Sequence, residues 1–181
     1  MNWANLVTYL RLLLIPAVIA CYYANFPSAN LWAAILFAVA SFSDWLDGYV
    51  ARKLGLTSEF GAFIDPVADK LLVVTVLIML VAVYPALLVA TIIIISREIL
   101  ISALREWMAS QGKRKAVAVA FSGKLKTTVQ MLAMTALLLY SDDSAQWVWQ
   151  FGFYGIHVAA LISLYSMAHY CMNAWRSFKE S

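Results

Sequence analysis

The chain has 181 residues, 64% of them hydrophobic and only 13% charged, with a formal net charge of +3. An ordinary soluble domain is roughly 45–50% apolar, so this composition excludes one and points to a protein embedded in a membrane. Its two cysteines, Cys21 and Cys171, lie far apart in apolar runs, which argues against a disulfide framework or a zinc site and makes them packing residues.

A membrane-crossing helix needs about 20 mainly apolar residues. Six segments approach that length, at about 5–24, 31–53, 61–83, 86–109, 125–140 and 147–172, the fifth being the shortest. Turn chemistry separates them: NFPSAN at 25–30, KLGLTSE at 53–59, YP at 84–85, SQGKRKAVAVAFSG at 110–123 and SDDSAQ at 141–146. VIAC at 18–21 loosely resembles a lipoprotein cleavage box, but Arg11 lies too far along its run for a signal-peptide n-region, and five further spans need no such signal. Lysine and arginine occupy Lys53, 113–115, Lys124, Lys126, Arg176 and Lys179, whereas the connections at 25–30, 84–85 and 141–146 carry neither. The positive-inside rule then places both termini and the basic loops in the cytoplasm. The expected fold is all-α, a polytopic membrane protein with six transmembrane helices and both termini cytoplasmic, forming a single domain over 1–181. Trp147 and Trp149 read as interfacial anchors, and His157 and His169 as residues that hydrogen-bond locally or face the interface.

The stretch SDWLDGYVARKLGLTSEFGAFIDPVADK, residues 43–70, sets four aspartates against this background. A charged side chain at a span centre costs at least roughly 2.5–3.5 kcal/mol, so an intramembrane cluster is read first as function. Asp44 and Asp47 are spaced i,i+3 and Asp65 and Asp69 i,i+4, which puts each pair on one helix face. Counted from the connecting loop, the pairs reach matching depths on antiparallel neighbours, so the four carboxylates can converge. Like charges in a low-dielectric site raise one another's pKa, so protons or metal must balance them. Oxygen-only ligands suit magnesium, manganese or calcium, and magnesium takes substrate phosphate oxygens as further ligands. Gly48 and Gly61 would let a ligand approach the backbone, or simply let helices pack. Arg52 can fork onto a phosphate or snorkel to the interface. Pro66 falls early in its helix, where a missing N–H matters least.

The string Asp44-x-x-Asp47-Gly48-x-x-Ala51-Arg52, eight residues, then Gly61-x-x-x-Asp65-x-x-x-Asp69 resembles the signature of the CDP-alcohol phosphatidyltransferase family at every position. The resemblance implies a six-helix membrane enzyme, usually a homodimer, that displaces CMP from a CDP-linked lipid or alcohol with a divalent metal, magnesium first and manganese next. By position it implies Asp44, Asp47, Asp65 and Asp69 as metal ligands, with Asp69 also the catalytic base. It implies Gly48, Arg52 and Gly61 as contacts to the nucleotide of CDP-diacylglycerol. Asn5-x-x-Thr8-x-x-Arg11 resembles a further family element beside the nucleotide and its diphosphate.

The acceptor must be read from the second half of the chain. SREILISALRE at 96–106 places Arg97, Glu98, Arg105 and Glu106 in the inner half of the fourth span, where Glu98 and Arg105, at i,i+7 on nearly one face, offer a structural ion pair that would absorb Glu98 but not Arg97 and Arg105 together. Lys124 and Lys126 open the fifth span on the same side, and Lys113, Arg114 and Lys115 form a loop patch facing lipid headgroups. Arg97, Arg105, Lys124 and Lys126 make a cationic pocket for a small phosphorylated acceptor; neutral inositol or zwitterionic serine would need less positive charge. This run resembles the family branch whose acceptor is glycerol 3-phosphate, which implies a bacterial inner-membrane enzyme of phosphatidylglycerol synthesis whose active site faces the cytoplasm. Its partners would be CDP-diacylglycerol, glycerol 3-phosphate and membrane lipids, with no nucleic acid. The alternatives are a family member with another acceptor, of the cardiolipin synthase or inositol-phosphate type, and a cation transporter. Against transport, every charge except Asp142 and Asp143 sits in the cytoplasmic half. Beyond residue 140 the resemblance is little more than hydrophobicity.

Overall fold

Each apolar segment folds as a helix bounded close to the turn signals around it. The computed structural model describes the backbone of residues 3–24, 26–54, 59–112, 121–141 and 143–179, and the side chains of 9–24, 26–43, 67–68, 70–112, 123, 125–141, 143–176 and 179. Among the described residues the chain is six α-helices with no strand: α1 Trp3–Tyr23, α2 Ala29–Leu54, α3 Glu59–Val83, α4 Leu88–Ser110, α5 Phe121–Leu139 and α6 Gln146–Lys179. Two stretches of helix are long and apolar enough to cross a membrane whole, Pro85–Ser110 and Gln146–Arg176. Shorter apolar helical stretches run over Tyr9–Tyr23, Ala29–Ser43, Lys70–Val83 and Leu125–Leu139.

The connections follow from backbone chemistry. Pro85 opens a 3-10 turn over Pro85–Leu87 that leads straight into α4, at a position where a helix needs no N–H. At the other end of α4, Gly112 adopts φ +72 and its N–H bonds to the Ala109 carbonyl at 3.1 Å. That left-handed step strains any residue with a Cβ, so glycine ends the helix there. Because α3 begins at Glu59, Pro66 lies about two turns inside it and not at its start. The helix continues past it although proline offers no N–H to the carbonyl four residues back.

One core draws on all six helices: Val18 from α1, Phe37 from α2, Leu72 and Leu77 from α3, Ile94 from α4, Met134 and Leu137 from α5, and Ile156 and Ala160 from α6. Helix α1 packs against α2 and α3, α5 against α2 and α3, and α6 against α4 and most extensively α5. The α5–α6 seam is tight because Gly152 stands over Leu137 and the Ala133 carbonyl; a Cβ there would meet Leu137 Cγ at 2.5 Å. Small residues allow this approach where apolar attraction between helices is weak, as in lipid. Hydroxyls in the apolar helices bond to carbonyls one turn back, Ser41 to Phe37 at 2.8 Å, Thr135 to Met131 at 2.8 Å and Ser163 to Ala159 at 2.7 Å. Leucine, isoleucine and tryptophan side chains such as Leu13, Ile78, Ile99, Leu161 and Trp175 cover the outer surface. Cys171 is exposed among them instead of packing, because it follows the buried Tyr170 by one helical step.

Candidate active site

The four aspartates fall on continuous helix, Asp44 and Asp47 in α2 and Asp65 and Asp69 in α3, so the i,i+3 and i,i+4 spacings hold as helical spacings. Only residues 55–58 separate the two helices, and both pack against α1 and α5. The carboxylates themselves, with the side chains of Asn5, Thr8, Gly48, Arg52, Gly61 and Lys124, lie outside the described residues, as does the loop holding Lys113, Arg114 and Lys115. Among the described side chains no three of His, Cys, Asp or Glu come together as a metal site. Carboxylates are oxygen ligands of the kind that hard divalent cations take. Arg11 is described, and it is 3% exposed on α1.

The described residues expected to bind the acceptor lie where α4, α5 and α6 meet. Arg97 on α4 and Lys126 on α5 are both buried in the bundle. A buried cation needs a counter-charge, and Glu98 supplies it. Its Oε1 accepts from the Lys126 ammonium and from Arg97 Nη1 at 3.2 Å. Lys70, next to Asp69 on α3, is near enough to add to the positive field at Glu98. Glu98 thus takes Arg97 and Lys126 in place of the Glu98–Arg105 ion pair that the shared helix face offered. Arg105 instead turns to α6, where its Nη2 donates to the Tyr170 hydroxyl at 2.9 Å. Two turns of helix separate the residues, and the carboxylate is drawn to the nearer, more deeply buried cations.

Helix α6 supplies two polar groups that the sequence reading did not single out. Arg97 Nη2 donates to Ser166 Oγ at 3.0 Å. The Tyr170 ring lies under both guanidinium groups, 5.9 Å from the Arg97 carbon and 5.0 Å from that of Arg105. Ser163, Ser166, Tyr170 and Asn173 recur at spacings of three and four along an otherwise apolar helix, a weak polar stripe that could have pointed to this face. At the start of α5, Gly123 faces the same atoms, and a Cβ there would lie 3.7 Å from the Tyr170 hydroxyl and 3.9 Å from Arg97 Nη2.

Arg97 and Lys126 thus meet the Glu98 carboxylate, while Arg105 lies apart from it on Tyr170, so that α4 and α5 bring three cationic side chains to the region of one glutamate among the described residues. Arginine keeps its charge under burial and presents a planar fork, so the cluster suits a phosphate dianion. The histidines take no part: His157 Nδ1 donates to the Phe153 carbonyl at 2.8 Å, and His169 Nε2 accepts from the Asn173 amide at 3.1 Å. Trp147 is exposed, but Trp149 stacks on Phe153 with ring centroids 4.8 Å apart and belongs partly to the core.

A sequence model described as CDP-alcohol phosphatidyltransferase matches residues 1–169. Among curated proteins, a CDP-diacylglycerol--glycerol-3-phosphate 3-phosphatidyltransferase of Salmonella choleraesuis is 43% identical over 175 residues, covering 96% of this chain and 94% of that one. Proteins of the same name from Sodalis glossinidius, 41% identical over 176 residues, and Wigglesworthia glossinidia brevipalpis, 39% identical over 178, also align, covering 96% and 97% of this chain and 95% and 96% of their own.

Proposed function

This chain belongs to the CDP-alcohol phosphatidyltransferase family, and from that premise we propose that it moves the phosphatidyl group of CDP-diacylglycerol to the primary hydroxyl of sn-glycerol 3-phosphate. The products are phosphatidylglycerophosphate and CMP, which places the enzyme in phosphatidylglycerol synthesis. The observation that supports the choice of acceptor is that Arg97 and Lys126, both buried, share the Glu98 carboxylate while Arg105 and Arg97 both lie against Tyr170. Two guanidinium forks and an ammonium suit a phosphorylated acceptor, whereas neutral inositol or zwitterionic serine would need less positive charge.

In this reading Arg97, Arg105 and Lys126, joined by Lys124, hold the acceptor phosphate and turn its free hydroxyl toward the lipid-linked phosphorus. Asp69 takes the hydroxyl proton as the new P–O bond forms and the bond to CMP breaks, with both electrons leaving on the CMP oxygen. Asn5, Thr8, Arg11, Gly48, Arg52 and Gly61 hold the nucleotide and diphosphate of CDP-diacylglycerol. Asp44, Asp47, Asp65 and Asp69 would hold a divalent metal, magnesium or manganese, which when bound neutralises charge on the diphosphate and on the departing CMP. The side chains offer no nucleophile beside the cationic cluster among the described residues other than Ser166 and Tyr170, both already engaged by arginines. Direct in-line transfer is what the family resemblance implies.

All six helices cross the membrane in this proposal. The shortest, α5, has 19 residues and spans about 28 Å at 1.5 Å per residue, close to the roughly 30 Å hydrocarbon thickness. The 34 residues of α6 overrun that thickness and end with Arg176 and Lys179 in the last turn, which supports a cytoplasmic C-terminus. An inner-membrane enzyme with its active site facing the cytoplasm, built as one domain and paired as a homodimer, fits the family and the basic loops. The test is CMP release from CDP-diacylglycerol by purified protein with magnesium, comparing glycerol 3-phosphate, glycerol, inositol, serine and phosphatidylglycerol. Release with glycerol 3-phosphate alone supports the proposal; release with another acceptor overturns the reading of the arginines while keeping that of the aspartates.

A further inference from the structure

We propose that Tyr170 and Ser166 of α6 are positioning residues for the acceptor, acting by holding the guanidinium groups of Arg105 and Arg97 in their working orientation; this rests on the assignment of those arginines to the acceptor phosphate. Arginine side chains have many rotamers, and fixing two of them before the substrate arrives removes an entropic cost from binding. Both arginines emerge from α4, where Glu98 takes one nitrogen of Arg97 and, among the described residues, no side chain of the helix holds Arg105, so the pair needs a hold from a second element. Helix α6 provides it twice on one face, a turn apart.

Tyr170 is 1% exposed and Ser166 fully buried, so neither is a chance surface partner. The Tyr170 hydroxyl takes Arg105 Nη2 at 2.9 Å while its ring underlies the same guanidinium at 5.0 Å, a contact that combines a hydrogen bond with cation–π attraction. Ser166 differs from its neighbour on the same helix. Ser163 bonds back to the Ala159 carbonyl, the usual arrangement in an apolar helix, whereas Ser166 Oγ receives Arg97 Nη2 at 3.0 Å. Each arginine keeps further N–H donors for a ligand, since a guanidinium carries five. Gly123 brings no side chain of its own against the Tyr170 hydroxyl and Arg97 Nη2, which a Cβ there would approach to 3.7 and 3.9 Å.

The experiment measures KM for glycerol 3-phosphate and for CDP-diacylglycerol separately in Tyr170→Phe, Ser166→Ala, Arg105→Ala and the Arg105→Ala/Tyr170→Phe double variant. Loss of one hydrogen bond to a charged group predicts a rise of about tenfold in the glycerol 3-phosphate KM of Tyr170→Phe, with the CDP-diacylglycerol KM within about twofold of the parent. Because Tyr170 acts through Arg105, adding Tyr170→Phe to Arg105→Ala should cost little more than Arg105→Ala alone. Equal losses toward both substrates, or full additivity in the double variant, would mean a general structural role and overturn the inference. If Arg105→Ala leaves the glycerol 3-phosphate KM unchanged, the acceptor assignment itself fails. If Arg105→Ala raises it but Tyr170→Phe and Ser166→Ala do not, only the positioning role fails. Should Tyr170→Phe not fold, the Ser166→Ala and Arg97→Ala pair carries the same cycle on the second arginine.

Discussion

Glu98 on α4 and Lys126 on α5 are bound directly to one another inside the bundle, and the same carboxylate oxygen also receives Arg97 Nη1 at 3.2 Å. The pair holds the two helices together at the depth where the acceptor phosphate is proposed to sit. Breaking a buried pair by removing one partner leaves an uncompensated charge and typically costs about 3–5 kcal/mol. Glu98→Gln should therefore lower the melting temperature of the detergent-solubilised protein. Glycerol 3-phosphate should restore part of that loss, because its phosphate supplies the missing counter-charge to Lys126. A thermal-shift series with and without the acceptor reads this; destabilisation that the acceptor cannot relieve would place Lys126 away from the phosphate.

Arg105→Ala removes the fork that Tyr170 holds at 2.9 Å. Hydrogen bonds to charged groups are worth about 1.5–3 kcal/mol, so catalytic efficiency with glycerol 3-phosphate should fall by about tenfold to a hundredfold or more, while CDP-diacylglycerol binding changes little. Arg105→Lys should recover only part of the activity, since a lysine keeps the charge but loses the planar, bidentate geometry. Steady-state kinetics varying each substrate in turn checks both. Equal losses for the two substrates would remove Arg105 from the acceptor site.

The six helices were legible because apolar runs and turn residues are local signals. Gly112 and Pro85 sit at the ends where backbone chemistry calls for them. The aspartate pairs were legible for a similar reason: charge in an apolar helix stands out, and its i,i+3 and i,i+4 spacing needs no knowledge of neighbouring helices. Partner choice was not. Glu98 and Arg105 share a helix face in sequence, yet the carboxylate pairs across to Lys126 on α5 and the guanidinium reaches Tyr170 on α6. Which helix packs against which is decided by side-chain volumes such as the gap at Gly152, and spacing along one chain carries no record of it. Tyr170 was hidden for the same reason. An aromatic residue in an aromatic-rich helix resembles any other until its neighbour is known.

The α5–α6 seam offers a test of packing separate from the chemistry. A Cβ at Gly152 would lie 2.5 Å from Leu137 Cγ and 3.0 Å from the Ala133 carbonyl. Overpacking of this kind typically costs about 1–3 kcal/mol. Gly152→Ala should lower thermal stability by a measurable shift, and Leu137→Ala in the same chain should relieve much of the clash at the expense of its own lost contacts. If Gly152→Ala melts with the parent, the two helices stand further apart than described.

Asp69→Asn addresses the chemical step. Asparagine keeps the size and one oxygen of the aspartate but cannot take the acceptor proton at neutral pH. General-base catalysis contributes about a hundredfold to ten-thousandfold, so turnover should fall by at least that range. Asp44, Asp47 and Asp65 remain as oxygen donors, so CDP-diacylglycerol binding should persist, should still depend on added magnesium, and should be lost on chelation in both proteins. Calorimetric binding of CDP-diacylglycerol in detergent, with magnesium and with chelator, set beside CMP release separates the two roles. Turnover within tenfold of the parent would free Asp69 from the base assignment. Loss of magnesium-dependent binding together with turnover would make it chiefly a metal ligand, and the proton would then have to leave by another acceptor, such as the substrate's own phosphate.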